Sequence, residues 1–434
     1  IQAYYVVEHT NNSNIVTLKG REALGNAFRV ATPTKTIINR SAEQLHFASV
    51  MATQDGTIVT FDNGSKDFYL IGASTHTITL DSGETYMVQP KNADKFFAGL
   101  LITSDKPITV NSGSQHTEIP GSNYDGGVDQ TIPIHSIGNQ YIIVRGATTA
   151  SIADYAIVVG VENGTDIFVN GNTTPVANIN AWEYYEIPLT GAKGTPYFIE
   201  TSNNAYVYHI SGRLNGQVGM AVVPTVSSGC AGARYLEFDK FAGTTDGYVI
   251  INNIGLSSLK FRGQPYTNYG SATAVTGKPD YSVILLENND FANGLNNIES
   301  DEPFMFGQIV SKSSGTGGFG FLTSYEYAID AVNPNDLSLT SYYVLDTINA
   351  NTTINHTLEL ISCAAPHSIE SVTATNGTVT FSDTTINYTS SDICGMDEIT
   401  IVVKNAADYT EQIRIGLFIN DKPVAVNDDF FFIG

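Results

Sequence analysis

Three serines divide most of this chain into equal parts. Ser104 in ITSDKPITV, Ser202 in IETSNNAYVY and Ser300 in IESDEPFMF are 98 residues apart both times, so the fold must be built largely from a repeated unit. Other landmarks keep the same order. Tyr86, Tyr184 and Tyr281 precede the serines by 18 or 19 residues, and FASVMATQDGTIVTF from Phe47 matches YAIVVGVENGTDIFV from Tyr155, with YVIINNIGLSSLKF from Tyr248 as a looser third copy. LGNAFRV at Leu24, IGNQYII at Ile137 and GARYLEF at Gly232 stand ahead of these in turn. Recurrence at matching places marks the three tyrosines and three serines as structural.

Within each unit the apolar residues alternate. GTIVTF, HTITL, PITVNS, TDIFVNG, AYVYHIS and SLKFRG place them on one face at period two, bounded by Asp-Gly, Asn-Gly and Asp-Ser-Gly turns. The Ser-Asp-Lys-Pro stretch at Ser104 reads as a turn delivering the chain into a short edge strand. Helical periodicity is nearly absent; NADKFFAGLL reads as a turn and DFANGLNNIES as a short helix. The expected fold is all-β: three related sandwich-like units of about 98 residues, closing into a compact body, followed by an immunoglobulin-like sandwich. Boundaries are expected at 1–133, 134–228, 229–345 and 346–434. The junctions IPIHSIGNQY and VVPTVSSGCAGARY lack linker composition, which favours packing over a flexible string.

Charge narrows the partners. Forty-three acidic residues against 21 basic ones leave a net charge of −22, a surface that repels nucleic acid and anionic lipid. No apolar run reaches the roughly 20 residues needed to span a bilayer. Ile1 opens in an alternating pattern, as a mature or trimmed chain would, and the FFFIG ending reads as a strand that continues beyond Gly434. Low lysine and abundant Thr and Asn suit an extracellular setting. Of the three cysteines, Cys363 and Cys394 are 31 residues apart and are expected to form a disulfide, with buried thiols as the alternative; Cys230 has neither a CxxC nor clustered histidines around it.

The C-terminal NGTVTFSDTTINYT, DEITIVVKN and PVAVNDD resemble the cadherin-like and bacterial immunoglobulin-like modules of long surface adhesins. LKGREALGNAFRV, ITSDKPITVNSGSQ and LNGQVGMAVVPTVSSGCAGARYLEF resemble the N-terminal domain named for IgG-Fc-binding protein, over about the first 330 residues. Cysteine pairing seen in many relatives is absent at Cys230. The resemblance implies a non-enzymatic adhesin head on the bacterial cell surface, exported across the outer membrane by the type IX system of Bacteroidota. It further implies attachment to surface polysaccharide or another extracellular ligand, gliding motility, and contact with the outer-membrane secretion and motility machinery. A structural cap of a surface filament is the second reading, and a carbohydrate-active hydrolase the third.

Candidate chemistry is sparse. No G-x-S-x-G elbow occurs, and His46, His76, His116, His135 and His209 sit within or beside strands, so a Ser-His-Asp triad has little support. Paired carboxylates for glycoside cleavage stay open, since acids are plentiful. The glycine-rich SSGTGGFGF at 313–321 lacks the lysine and helix of a phosphate cradle and reads as a structural loop, recurring near NSGSQHTEIPGSNYDGGVDQ and ISGRLNGQVGM. The longest polar insert, GSNYDGGVDQ, sets Tyr124 and Asp125 beside each other with Asp129 following. Aromatic plus carboxylate suits a sugar, and carboxylates suit calcium; a solvated turn is the plainer reading. Asp428 and Asp429 form a candidate calcium pair at a module junction, and Trp182 is either a sugar platform or a packing residue.

Overall fold

A computed structural model of the protein describes residues 3–9, 12–34, 46–91, 96–118, 124–146, 154–213, 217–227, 232–240, 243–311, 317–323, 342–357, 368–382, 385–404 and 410–420. Among these residues the regular elements are β-strands and short 3-10 turns, with no α-helix. They belong to two compact bodies, Ile1–Tyr327 and Ala328–Gly434.

In the first body every repeat is a curled antiparallel sheet built around one long strand: Ala98–Glu118, Pro196–Arg213 and Leu295–Ser311. Four strands of its own repeat pair with each long strand. The entry strands are Gly25–Ala31, Gly138–Val144 and Ala233–Asp239; the flank strands are Thr57–Asp62, Thr165–Val169 and Lys260–Phe261. The inner strands are His46–Ala52, Tyr155–Gly160 and Thr244–Asn252, and the seam strands are Tyr124–Thr131, Gln217–Val222 and Gly317–Phe321. The first part of each long strand pairs with entry and flank strands, the second with inner and seam strands.

The recurring serines mark the change of partners. On the entry-strand side the ladder jumps from Thr103 to Ile108, from Glu200 to Ala205 and from Glu299 to Phe304. The intervening residues bulge, and the serine hydroxyls bond to backbone. Ser104 Oγ donates to the Lys106 carbonyl at 2.7 Å, the Asp166 N–H donates to Ser202 Oγ at 2.9 Å, and Ser300 Oγ donates to the Gly255 carbonyl at 3.2 Å. The Ser-Asp-Lys-Pro segment therefore lies in the middle of a sheet rather than at its edge; Pro107, which has no N–H, falls where no ladder bond is required. The helix expected over DFANGLNNIES does not form: Asp290 ends a 3-10 turn, Asn288–Asp290, and from Leu295 the segment is the start of the third long strand. Asn296 holds that entrance by accepting from Ala292 N–H at 2.9 Å and donating to the Ala292 and Gly294 carbonyls.

Strand burial shows how the repeats stack. The inner strand of repeat 1 alternates, with Met51 exposed, whereas Tyr155–Gly160 is buried on both faces and Thr245 to Ile251 in repeat 3 is buried throughout. Tyr155, Ile157 and Val159 pack with Ala31 and Ile132 of repeat 1; Tyr248 and Ile250 pack with residues of repeat 2. Each such fully buried side chain contributes about 1.5–3 kcal/mol relative to exposure. Entry strands show the complementary pattern: the last four residues are buried in repeats 1 and 2, but in repeat 3 Glu237 and Asp239 face solvent. Repeat 2 is covered on both sides, and repeats 1 and 3 each keep one open face.

Trp182 belongs to the first of these joints. Its turn, Asn180 to Glu183, copies Asp81 to Glu84: Asn180 Oδ1 and Asp81 Oδ1 accept from Gly164 and Gly56 N–H, and Glu183 and Glu84 close back on Asn180 and Asp81 N–H. Trp182 occupies the place of Gly83 at φ 78°, a strained conformation for a bulky residue. The strain is offset by contact: its ring lies 3.9 Å from the Arg29 guanidinium, and Gly99 leaves room for its backbone. Packing, not sugar stacking, accounts for it.

The seam strands form the centre of the body. Gln217–Val222 lies between Tyr124–Thr131 and Gly317–Phe321, and strand Asn12–Leu18 of the N-terminal hairpin (paired with Ala3–His9) lies between the outer two. Glycines permit these close approaches. A Cβ on Gly219 would sit 2.4 Å from the Phe319 backbone nitrogen, and one on Gly320 would sit 2.7 Å from Ile15 Cγ2. Both GSNYDGGVDQ and SSGTGGFGF thus end in packed strands rather than loops, because glycine here serves backbone proximity and not turn formation.

The second body is a sandwich of a four-stranded and a three-stranded sheet. Tyr342–Asn349, Thr410–Asn420, Gly395–Lys404 and Ser368–Ala374 form one; Thr353–Thr357, Thr385–Thr389 and Thr378–Ser382 form the other. Ile386, Tyr388, Ile401 and Leu417 are among its buried residues. Its Asn376-Gly377 step passes from one sheet to the other, held by Asp397, which accepts from both N–H groups at 2.8 and 2.7 Å and from Tyr388 Oη.

Candidate binding face and buried polar groups

Asp129, expected in a solvated loop, is buried at the seam. Lys19 Nζ is 2.8 Å from Asp129 Oδ1, with the side chains 0% and 3% exposed. Asp129 Oδ1 also accepts from Gln130 N–H and Oδ2 from Val222 N–H, both at 2.8 Å, while Lys19 Nζ donates to the Gln130 carbonyl at 2.6 Å. One carboxylate therefore joins the end of the N-terminal hairpin, repeat 1 and repeat 2. Burial lowers the lysine pKa and raises that of the aspartate, each against the opposing pull of its partner. Tyr124 and Asp125 begin the same seam strand, opposite Glu118 and Thr117.

A Ser, a His and an Asp do meet elsewhere. His209 Nε2 lies 2.6 Å from Asp154 Oδ1, Ser211 Oγ donates to Asp154 Oδ2 at 3.3 Å, and Gly146 N–H donates to the same oxygen at 2.8 Å. Serine and histidine both bind the aspartate, so the Ser211 hydroxyl is aimed at the carboxylate rather than at His209, and the His209 and Asp154 side chains are wholly sealed. His46, 1% exposed, bonds Thr32 Oγ1 through Nδ1 at 3.0 Å, and burial depresses its pKa to about 3. Its neutral form is the one the fold accepts, so stability is present above pH 6.5 and is lost as pH falls towards 3. By about pH 4.5 the loss is expected to reach ~3 kcal/mol, read from denaturant midpoints, and a His46→Gln variant should show a flatter pH profile. An identical profile for the variant would remove His46 as the cause.

Among the described residues no three His, Cys, Asp or Glu side chains gather as a metal site, and no helix is long and apolar enough to cross a membrane. Cys394 is an exposed, free thiol. Its expected partner Cys363, together with Cys230, Asp428 and Asp429, lies outside the described residues.

On the open face of repeat 3, polar and aromatic groups stand in solvent together. Tyr235, 47% exposed, pairs across the sheet with Glu299, which pairs with Lys260. Tyr235 Oη donates to Glu237, Lys260 Nζ lies 3.1 Å from Glu299 Oε1, and Leu295, 62% exposed, stands opposite Asp239. At the place of Glu237 the other entry strands carry Arg29 and Ile142, both buried, whereas at the place of Tyr235 they carry Ala27 and Gln140, both half-buried. GARYLEFD carries a signal for this face, an aromatic and two acids at period two, but only the ladder shows that the neighbouring repeat is missing.

A repeat-built, all-β chain with its ionisable clusters buried and a polar face left open has the architecture of an extracellular binding or adhesion domain. The chain belongs to the IgGFc binding protein family, whose pattern matches residues 14–310. No curated protein sequence matches it. Among solved structures it is similar to a Ca2+-stabilized adhesin with which an Antarctic bacterium binds ice, at 12% identity, covering 91% of this chain and 99% of that one, TM-score 0.14. It is also similar to the Bacteroides ovatus mixed-linkage glucan utilization locus SGBP-B in complex with a heptasaccharide, at 12% identity, covering 64% and 65%, TM-score 0.14. A third likeness is to Sidekick-1 immunoglobulin domains 1–5, at 10% identity, covering 97% and 86%, TM-score 0.15. At these TM-scores the likenesses carry no argument about ligand or mechanism.

Proposed function

We propose that the chain is the non-enzymatic adhesive head of a larger bacterial surface protein, and that repeat 3 binds polysaccharide through its open face. The observation that carries this reading is the contrast between entry strands: the surface that repeats 1 and 2 bury at Arg29, Ala31, Ile142 and Val144 is, in repeat 3, uncovered at Glu237 and Asp239, beside the exposed Tyr235 and the Glu299–Lys260 pair. A tyrosine ring offers an apolar platform to a pyranose face, and the flanking carboxylates accept its hydroxyls. Weak single contacts then add through many copies per cell. Tyr124 and Asp125 belong to this proposal as a second contact; buried Asp129 does not. Calcium at the acidic positions, including Asp428 and Asp429, export through the type IX system and a part in gliding are further elements of it.

The test is binding of residues 1–434 to a glycan array and to polysaccharide-coated glass, with calcium and with chelator. Saturable binding is expected, and a Tyr235→Ala variant should weaken it at least tenfold while its melting temperature stays within a degree or two of the parent. Unchanged binding by that variant would move the site off this face. No binding on any surface would favour a capping or docking role in a surface filament instead.

A further inference from the structure

We propose that Lys19 and Asp129 condense to an intramolecular isopeptide bond, made by the chain itself once the seam has closed around them. The geometry points to it. Amine and carboxylate are in contact at 2.8 Å, both are shut away from water, and each is held from several sides. Two backbone donors, Gln130 N–H and Val222 N–H, are aimed at the two carboxyl oxygens, as an addition step requires for the oxygen that gains charge. The Gln130 and Thr17 carbonyls, 2.6 and 3.3 Å from Nζ, hold the amine in place by accepting hydrogen bonds from it.

The step balances without a co-reactant. The reactive pair is a neutral amine and a neutral carboxylic acid, reached by moving one proton from Lys19 to Asp129; burial disfavours the charged form of both groups. The Nζ lone pair then adds to Cγ, and the C=O electron pair moves onto the oxygen facing Val222 N–H. One proton passes directly from nitrogen to the departing hydroxyl. The C–O bond breaks and one water is released. Nothing is oxidised or reduced. The product amide keeps a donor for the Gln130 carbonyl and an acceptor for Val222 N–H, and it removes two charges from a dry site where a charge pair is costly. Residues 110 apart in sequence become one covalent loop, and the N-terminal hairpin is fixed in the seam.

Intact mass of the full chain under denaturing conditions tests this. The expected mass is lighter than the sequence by one water, proteolysis should yield a branched peptide joining the segments around Lys19 and Asp129, and Lys19→Met should have its full sequence mass whether or not it folds. A parent chain at its full mass overturns the proposal. So does a water loss that persists in Lys19→Met, as a succinimide at Asp55-Gly56 would produce. Neither result bears on polysaccharide binding, so the two proposals fail separately.

Discussion

Replacing Gly219 by alanine is expected to destabilise the first body by at least ~3 kcal/mol, a large effect for one methyl group. The added carbon would approach the Phe319 backbone nitrogen to 2.4 Å and the Phe319 Cβ to 2.4 Å. Backbone cannot rotate out of the way as a flexible side chain can, so the seam strands of repeats 2 and 3 have to separate. That movement also disturbs Val222, whose N–H holds Asp129. Gly263→Asn is the control: the glycine is at φ 70° with open space around it, and asparagine tolerates that conformation. Denaturant midpoints for the two variants should differ clearly. If Gly219→Ala melts with the parent, the seam strands are not in contact as described.

Lys19→Met should cost ~3–5 kcal/mol, because it leaves the Asp129 carboxylate sealed in the seam with no opposite charge. The expectation holds whether the pair is joined by charge or by an amide. Adding Asp129→Leu should restore part of the loss, since an apolar pair of similar volume relieves the stranded charge while leaving the Gln130 and Val222 N–H groups without their acceptor. A double variant less stable than the single one would show that those two hydrogen bonds outweigh the charge.

Much of the fold was legible because strands with one buried face write their period into the sequence. The 98-residue interval was legible for a related reason: Ser104, Ser202 and Ser300 each stand at the same bulge of the long strand, where each makes a hydrogen bond to backbone. What sequence could not show was where a strand hides among small polar residues. Tyr124–Thr131 and Gly317–Phe321 lack apolar alternation because their neighbours are other backbones, and a glycine chosen for proximity looks like a glycine chosen for a turn. Asp129 looked solvated because its partner is 110 residues away. The open face was hidden for the opposite reason. Tyr235, Glu237 and Asp239 read as an ordinary strand exterior; only the buried Arg29 and Ala31, and Ile142 and Val144, at the places of Glu237 and Asp239 mark the face as uncovered.

The place taken by strand Asn12–Leu18 also fixes how many repeats the head can have. In ordinary arrays a unit touches only its neighbours, so copies can be gained or lost by duplication. Here each repeat sends a strand to a shared centre, and the opening between the first and third of those strands is already filled by strand Asn12–Leu18. A fourth copy would find a free outer face on repeat 3 but no seat in the middle. Three is therefore a closed number for this body, which cannot grow by adding a copy at either open face.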